Sequence, residues 1–244
     1  MRIVLLCLLF LVPAAELDAQ QWSWPERAQN LQVLPADFPG SRIGAVMRGF
    51  TRSLGVRCSH CHVGEEGQPL STYDFASDDN RNKVTARAML NMLGDINDAL
   101  DTIEPNGERI NMWCHTCHRG TARPGTLQEV LMMTYRADGG EAMLAQYASL
   151  RERYYGRGAY DFGENSLNAA GYEVLGLEDY DTAIALFRLN VEHFPQSSNA
   201  YDSLAEAYME SGNNELAEIF YRKALELDPN NSNSLEMLRT VKAH

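Results

Sequence analysis

The chain has 244 residues, 45% hydrophobic and 22% charged, with a formal net charge of −12. That is room for one or two globular domains. The acidic balance disfavours nucleic acid and anionic membrane as partners, because their phosphates would be repelled. The charge is uneven: residues 20–125 carry 11 basic and 12 acidic side chains, whereas residues 126–244 carry 9 and 19. An acidic second half suits a basic protein partner, or a basic patch on another copy of the chain.

Residues 1–19 have the pattern of a secretory signal peptide. Arg2 is a short basic start, Ile3 to Val12 form an apolar run too short to span a bilayer, and small residues lead to a cut after Ala19. The expected location is periplasmic or extracellular, with no membrane span in the mature chain. Cys7 would leave with the signal. The other four cysteines are Cys58, Cys61, Cys114 and Cys117, so none remains for a separate disulfide.

After a polar, extended segment with Trp22 and Trp24 as a hydrophobic anchor, a helix is predicted from Ser41, as N-cap, to a stop at Gly55. Ile43, Val46, Met47, Phe50 and Leu54 share one face of it. It leads straight into Cys58-Ser59-His60-Cys61-His62. A second helix is predicted over 81–100, with Val84, Met89, Met92, Leu93 and Ile96 as its apolar side. A turn at Pro105-Asn106-Gly107 follows, and then Cys114-His115-Thr116-Cys117-His118.

Both cysteine stretches read C-x-x-C-H, the attachment signature of a c-type haem. The two thiols add to the haem as thioethers and the adjacent His binds the iron. Two copies predict two c-type haems, one on Cys58, Cys61 and His62, the other on Cys114, Cys117 and His118. Haem iron in electron carriers commonly takes a second axial ligand, and Met sulfur is one choice. Met47 is a candidate, although a Met in an apolar stripe is as commonly packing. Met89 and Met92, three apart on one helix face, are the candidates for the other iron. His60 and His115, between the anchoring cysteines, read as surface residues.

The run from Met47 through Arg48, Gly49 and Phe50 to Cys58 resembles the haem-binding segments of the cytochrome subunit of bacterial photosynthetic reaction centres. Lys83 to Met89, Asp95 to Asn97 and Cys117 to Gly120 resemble them too. In that family a Met on the helix before a motif ligates most of the haems. The resemblance therefore implies Met47 as the second ligand of the first iron. It favours Met89 over Met92 for the second, because Met89 keeps the family's spacing to Lys83 and Asn97. The chain departs from the family in having two motifs instead of four, and extra residues between Met89 and Cys114. The resemblance does not imply photosynthesis.

Residues 126–135 and 140–155 predict two further helices. From Glu164 on there is an internal repeat of 34 residues: Ala170 pairs with Leu204, Ala183 with Ala217, Phe187 with Tyr221, and Pro195 with Pro229. That period, with small and aromatic residues at fixed places, resembles the tetratricopeptide repeat, which implies a surface for binding a protein segment. His193, at a helix end, reads as a capping or packing residue.

The predicted fold class is all-α. Residues 1–19 are the signal peptide, 20–125 a small two-haem cytochrome domain, 126–163 a helical connector, and 164–244 two repeat hairpins with a capping helix. The function this points to is an exported dihaem electron carrier, not an enzyme, since His/Met ligation on both irons leaves no place for substrate. Its partners would be redox proteins or other copies of the chain docked through the repeat module. The alternative is a haem enzyme of the dihaem peroxidase type, which needs one open or displaceable iron site. A zinc or disulfide scaffold fits the spacing poorly, because 52 residues separate Cys61 from Cys114.

Overall fold

The structure is a computed structural model that describes residues 22–103 and 111–241. The expected signal peptide and the Pro105-Asn106-Gly107 turn lie outside the described residues. The described residues are helical, with no strand; two isolated bridges, Arg27 to Pro39 and Val63 to Asp74, are the extent of β pairing among them. The all-α class holds. None of the described helices is long and apolar enough to cross a membrane.

Two compact units divide the chain. The first takes described residues 22–51, 57–103 and 111; the second takes 52–56 and 112–241. Two helices dominate the first unit. Helix α1, Gly40–Leu54, begins one residue before the predicted N-cap Ser41, because the Gly40 amide donates to the Glu26 carbonyl at 3.0 Å and the chain turns there. Helix α2, Arg81–Leu100, is capped by Asn80, whose side chain accepts from the Asn82 amide.

Apolar burial in the first unit is scant. Ile43, at 5% exposed, is its one fully buried large apolar side chain among the described residues. No residue of α2 is fully buried. A ring cluster supplies the rest: Trp22 lies 5.3 Å from Phe75, Phe75 stacks on Tyr73 at 5.6 Å, and Trp24 meets Trp22 edge-on at 6.1 Å.

In the second unit the helices follow as α3, Cys114–His118; α4, Leu127–Tyr154; α5, Glu164–Leu175; α6, Tyr180–His193; α7, Ser198–Glu210; α8, Asn214–Leu227; and α9, Ser232–Val241. The two helices expected over 126–155 are the halves of α4, broken at Gly139, whose φ of 83° lies outside the helical range. Thr126 and Glu129 form a reciprocal capping box at its start. Asp179, Ser197 and Asn213 each cap the next helix through a side-chain oxygen. Asp179 and Asn213 stand one 34-residue period apart and do the same job.

The repeat read in the sequence is a burial repeat. Ala170, Ala183, Phe187, Leu204, Ala217 and Tyr221 are all buried to 1% or less. Small residues let paired helices approach, and one aromatic per hairpin fills the space between them. α5 packs on α6, α7 on α8, and α6 on α7, so a continuous core runs from Leu127 to Val241.

Candidate haem sites

In the first motif, Cys58–His60 forms a turn of 3-10 helix. The His62 amide closes it by donating to the Cys58 carbonyl at 2.9 Å. Neither Cys58 nor Cys61 is in a disulfide, and both are half-buried. Burial, and then the neighbouring Cys58, pushes the Cys61 thiol above its ordinary pKa. The start of α2 is tied to the turn: Asn82 Nδ2 donates to the His60 carbonyl at 2.9 Å and Asn80 Nδ2 to the Ser59 carbonyl at 3.3 Å.

The His62 ring meets Phe75 edge-on at 5.0 Å. Phe75 is positioned by Lys83, whose Nζ donates to the carbonyls of Phe75, Ala76 and Ser77 at 3.1, 2.9 and 2.7 Å. Lys83 is only 11% exposed at its side chain, and Asp78 is its counter-ion at 3.1 Å. Asp78 also pairs with Arg87 at 2.8 Å and accepts from Asn30 and Gln32. The Asn30 bond first, then Lys83, holds the Asp78 carboxyl well below the usual carboxylate range. Burial, and then the charges of Lys83 and Arg87, lowers the His62 pKa, while the Phe75 backbone pulls the other way. A neutral imidazole is the form that binds a metal. His62 Nδ1 and Trp22 Nε1 are both buried without a hydrogen-bond partner.

Met47 is half-buried in the same unit. So is the helix that carries Met89 and Met92, whose side chains are 39% and 46% exposed. At about 100° per residue Met89 projects between Leu93 and Ile96, on the margin of the covered side of α2, and Met92 lies about 60° farther round. His60 is half-buried, and His115 is exposed as expected.

The second motif is α3, and its local frame is better defined. The helix stops at Arg119, whose φ of 49° is left-handed. Gly120, at φ 91°, then turns the chain back. The Thr121 amide and hydroxyl both donate to the His118 carbonyl, at 2.8 and 2.7 Å. In return His118 Nδ1 lies 2.9 Å from the Thr121 carbonyl. A carbonyl only accepts, so Nδ1 carries the proton and Nε2 keeps its lone pair. That is the arrangement by which metal-binding histidines are commonly oriented. The Gly120 amide donates to the Ser53 carbonyl at 2.9 Å, which pins this turn to the last turn of α1. Gly55, at φ 64°, makes the approach possible: a Cβ there would overlap the Gly120 carbonyl oxygen. Burial is also the first cause of the raised Cys114 pKa.

These residues fit a thioether-bound haem. Each motif offers two unpaired thiols three residues apart and a neighbouring imidazole. In the first unit one large apolar side chain, Ile43, is fully buried among the described residues, and the ring nitrogens His62 Nδ1 and Trp22 Nε1 are buried without partners. A thiol–disulfide exchange site would want a lowered cysteine pKa; Cys61 and Cys114 are shifted the opposite way. Among the described residues, no three His, Cys, Asp or Glu side chains converge to hold a metal ion by themselves.

Sequence reasoning named the cysteines, histidines and methionines. It did not assign roles to Phe75, Thr121, Ser53 or Lys83. Lys83 was visible as part of a recurring segment and Gly120 as the residue after His118-Arg119, but nothing in either told what they touch.

Comparison with known proteins adds the following. The profile of the photosynthetic reaction centre cytochrome c subunit matches residues 26–149, just over half of the chain. A tetratricopeptide repeat profile matches residues 198–231. Cytochrome c-554 of Chloroflexus aurantiacus is 32% identical over 90 residues, 36% of this chain and 20% of that protein. The photosynthetic reaction center cytochrome c subunit of Roseobacter denitrificans is 33% identical over 101 residues, 41% of this chain and 26% of that protein. The chain thus matches about a fifth to a quarter of the length of these relatives. The first TPR domain of human RPAP3 aligns over 48% of this chain and 87% of its own, at 18% identity and a TM-score of 0.35, a likeness too slight to bear on fold or partner.

Proposed function

The chain belongs to the photosynthetic reaction-centre cytochrome c subunit family, and from that membership we propose that it is an exported electron carrier with two covalently attached c-type haems. The observation that carries the reading is the pair of C-x-x-C-H turns, each with unpaired thiols, with His118 Nδ1 committed to the Thr121 carbonyl so that Nε2 is free.

Cys58 and Cys61 would hold the first haem, with His62 and Met47 as iron ligands. Cys114 and Cys117 would hold the second, with His118 and Met89; Met92 is the second choice for that position. A haem held this way supplies a one-electron couple on its iron. The chain's own residues do the rest. Phe75, set by Lys83, restricts the His62 ring. The turn from His118 to Thr121 fixes the second imidazole and its tautomer. Arg87 and Lys83 place positive charge near the first motif, which would favour the reduced iron, and Asp78, paired with both, offsets part of that.

The tetratricopeptide repeat supports a docking role. We assign to the module the binding of a redox partner, or of another copy of the chain, through its acidic surface. The signal-like pattern of residues 1–19 supports export to the periplasm or beyond.

The test is an alkaline pyridine haemochrome spectrum with intact mass of the denatured protein. Two covalent haems per chain are expected. None, or one, would refute the reading. Carbon monoxide binding to the reduced native protein separates carrier from enzyme: no rapid binding is expected, and rapid binding at one iron would favour the peroxidase-type alternative.

A further inference from the structure

A cleft of about 910 Å³ opens between the second half of α4 and α6. That volume is within the range of small-molecule sites, which are apolar clefts with a few convergent polar groups. It lies outside the residues matched as a tetratricopeptide repeat and contains no haem-motif residue. Leu144, Ala148 and Leu189 form its apolar walls.

Three residues on its lining each carry a buried polar atom without a well-formed hydrogen bond, the Tyr147 hydroxyl, Arg151 Nη1 and His193 Nε2, with the Arg151 guanidinium beside the Tyr147 hydroxyl. Tyr147 is 98% buried, since its exposure is 2%. The Tyr147 and His193 rings lie 5.9 Å apart. The Arg151 guanidinium stacks over Tyr155, 4.1 Å from the ring centroid, so it is held in place with Nη1 unpaired. Leaving one buried polar group unpaired is costly, and three in one cleft of a natural core are rare. Burial, and then Arg151, lowers the His193 pKa, so its ring is neutral and can offer one N–H.

The unmet groups are therefore a guanidinium, a phenol and a neutral imidazole. Together they complete a carboxylate, which only accepts. The carboxylates lining the cleft, Glu152 and Glu192, are exposed, and neither bonds Arg151 Nη1. They would repel a dianion such as a phosphate ester more than a monoanion, and the apolar walls need an apolar body to cover them. We infer that this cleft binds a small organic monocarboxylate, its carboxylate on Arg151, Tyr147 and His193 and its hydrocarbon part along Leu144, Ala148 and Leu189.

Isothermal titration calorimetry on the full-length holoprotein tests this with 3-phenylpropionate, hexanoate and the matching amide, 3-phenylpropionamide. An acid should bind saturably at one site, and the amide should bind about tenfold more weakly or worse. Arg151→Gln should weaken the acid by a similar factor. Tyr147→Phe removes only the hydroxyl and leaves the buried ring, so it keeps the test decisive if Arg151→Gln does not fold. Equal binding of acid and amide would overturn the inference, as would acid binding unchanged in both variants, or silence from both acids up to about 10 mM. A short peptide ending in Phe that binds when the free acids do not would also overturn it, in favour of a protein-docking surface.

Discussion

Gly55→Ala is the sharpest perturbation of the second haem site's frame. Gly55 has φ 64°, where an L residue costs about 1–2 kcal/mol. The added Cβ would also overlap the Gly120 carbonyl oxygen, a backbone atom that cannot rotate away. Relief requires moving the turn that follows His118, and that loosens the 2.9 Å bond from the Gly120 amide to the Ser53 carbonyl, worth about 0.5–1.5 kcal/mol. The summed loss is about 1.5–3.5 kcal/mol. Gly212→Ala is the control: φ is 82°, but nothing lies within 4 Å of its Cβ position, so it bears the backbone term alone. Denaturant unfolding followed by far-UV circular dichroism should place Gly55→Ala below Gly212→Ala by about 1 kcal/mol or more. The haem spectrum should change at the centre carrying His118 and leave the other unaltered. If the two variants lose equal stability and both haems stay unchanged, the close approach of Gly55 and Gly120 does not frame the site.

Other outcomes follow from the same structure. Lys83→Met strips three backbone carbonyls of their donor, and bonds to a charged group are worth about 1.5–3 kcal/mol in stability; hydrogen exchange over 75–79 should accelerate, and unchanged protection there would contradict the role given to Lys83. Asp78 titrates below its unfolded value, so its contribution is present above about pH 4 and is lost as the pH falls toward the folded value. Acid titration should release the 75–79 segment below about pH 4, and Asp78→Asn should remove that step. Met47→Ala should open one iron, so that the reduced protein gains carbon monoxide binding at one haem and not both; no gain would take Met47 out of the ligand set. Thr121→Val removes the hydroxyl bonds to the His118 and Arg123 carbonyls but keeps the backbone carbonyl that holds His118 Nδ1. It should cost about 0.5–1.5 kcal/mol in denaturant unfolding while the potential of the haem on His118, read by spectroelectrochemistry, stays close to its original value; a large shift would mean that the hydroxyl and not the carbonyl sets the imidazole.

Much of this protein was legible in the chain because its signals are local or periodic. C-x-x-C-H is a local pattern: two thiols and one imidazole on one turn. The second helix of the first unit, Arg81–Leu100, was visible from its apolar spacing, and its Asn80 cap appeared only in the structure. The 34-residue period of Ala183 with Ala217 and Phe187 with Tyr221 was legible because every hairpin must solve the same packing problem. The two helices read over 126–135 and 140–155 came close to the break, but the first runs on to the kink at Gly139.

What the sequence determined, then, is the family and the helical class, and it supplied the two C-x-x-C-H motifs on which the proposed haem attachment rests, since all of these follow from residue types at fixed spacing. Only the tertiary structure decided which side chains serve those residues. That His118 donates to Thr121, that Phe75 braces His62, that Lys83 gathers three carbonyls, and that Tyr147, Arg151 and His193 meet unpartnered in one cleft are matters of where separate segments fold back. Hydrogen bonding and burial act through space between residues whose distance along the chain carries no signal, so the anchors could be read and their supports had to be seen.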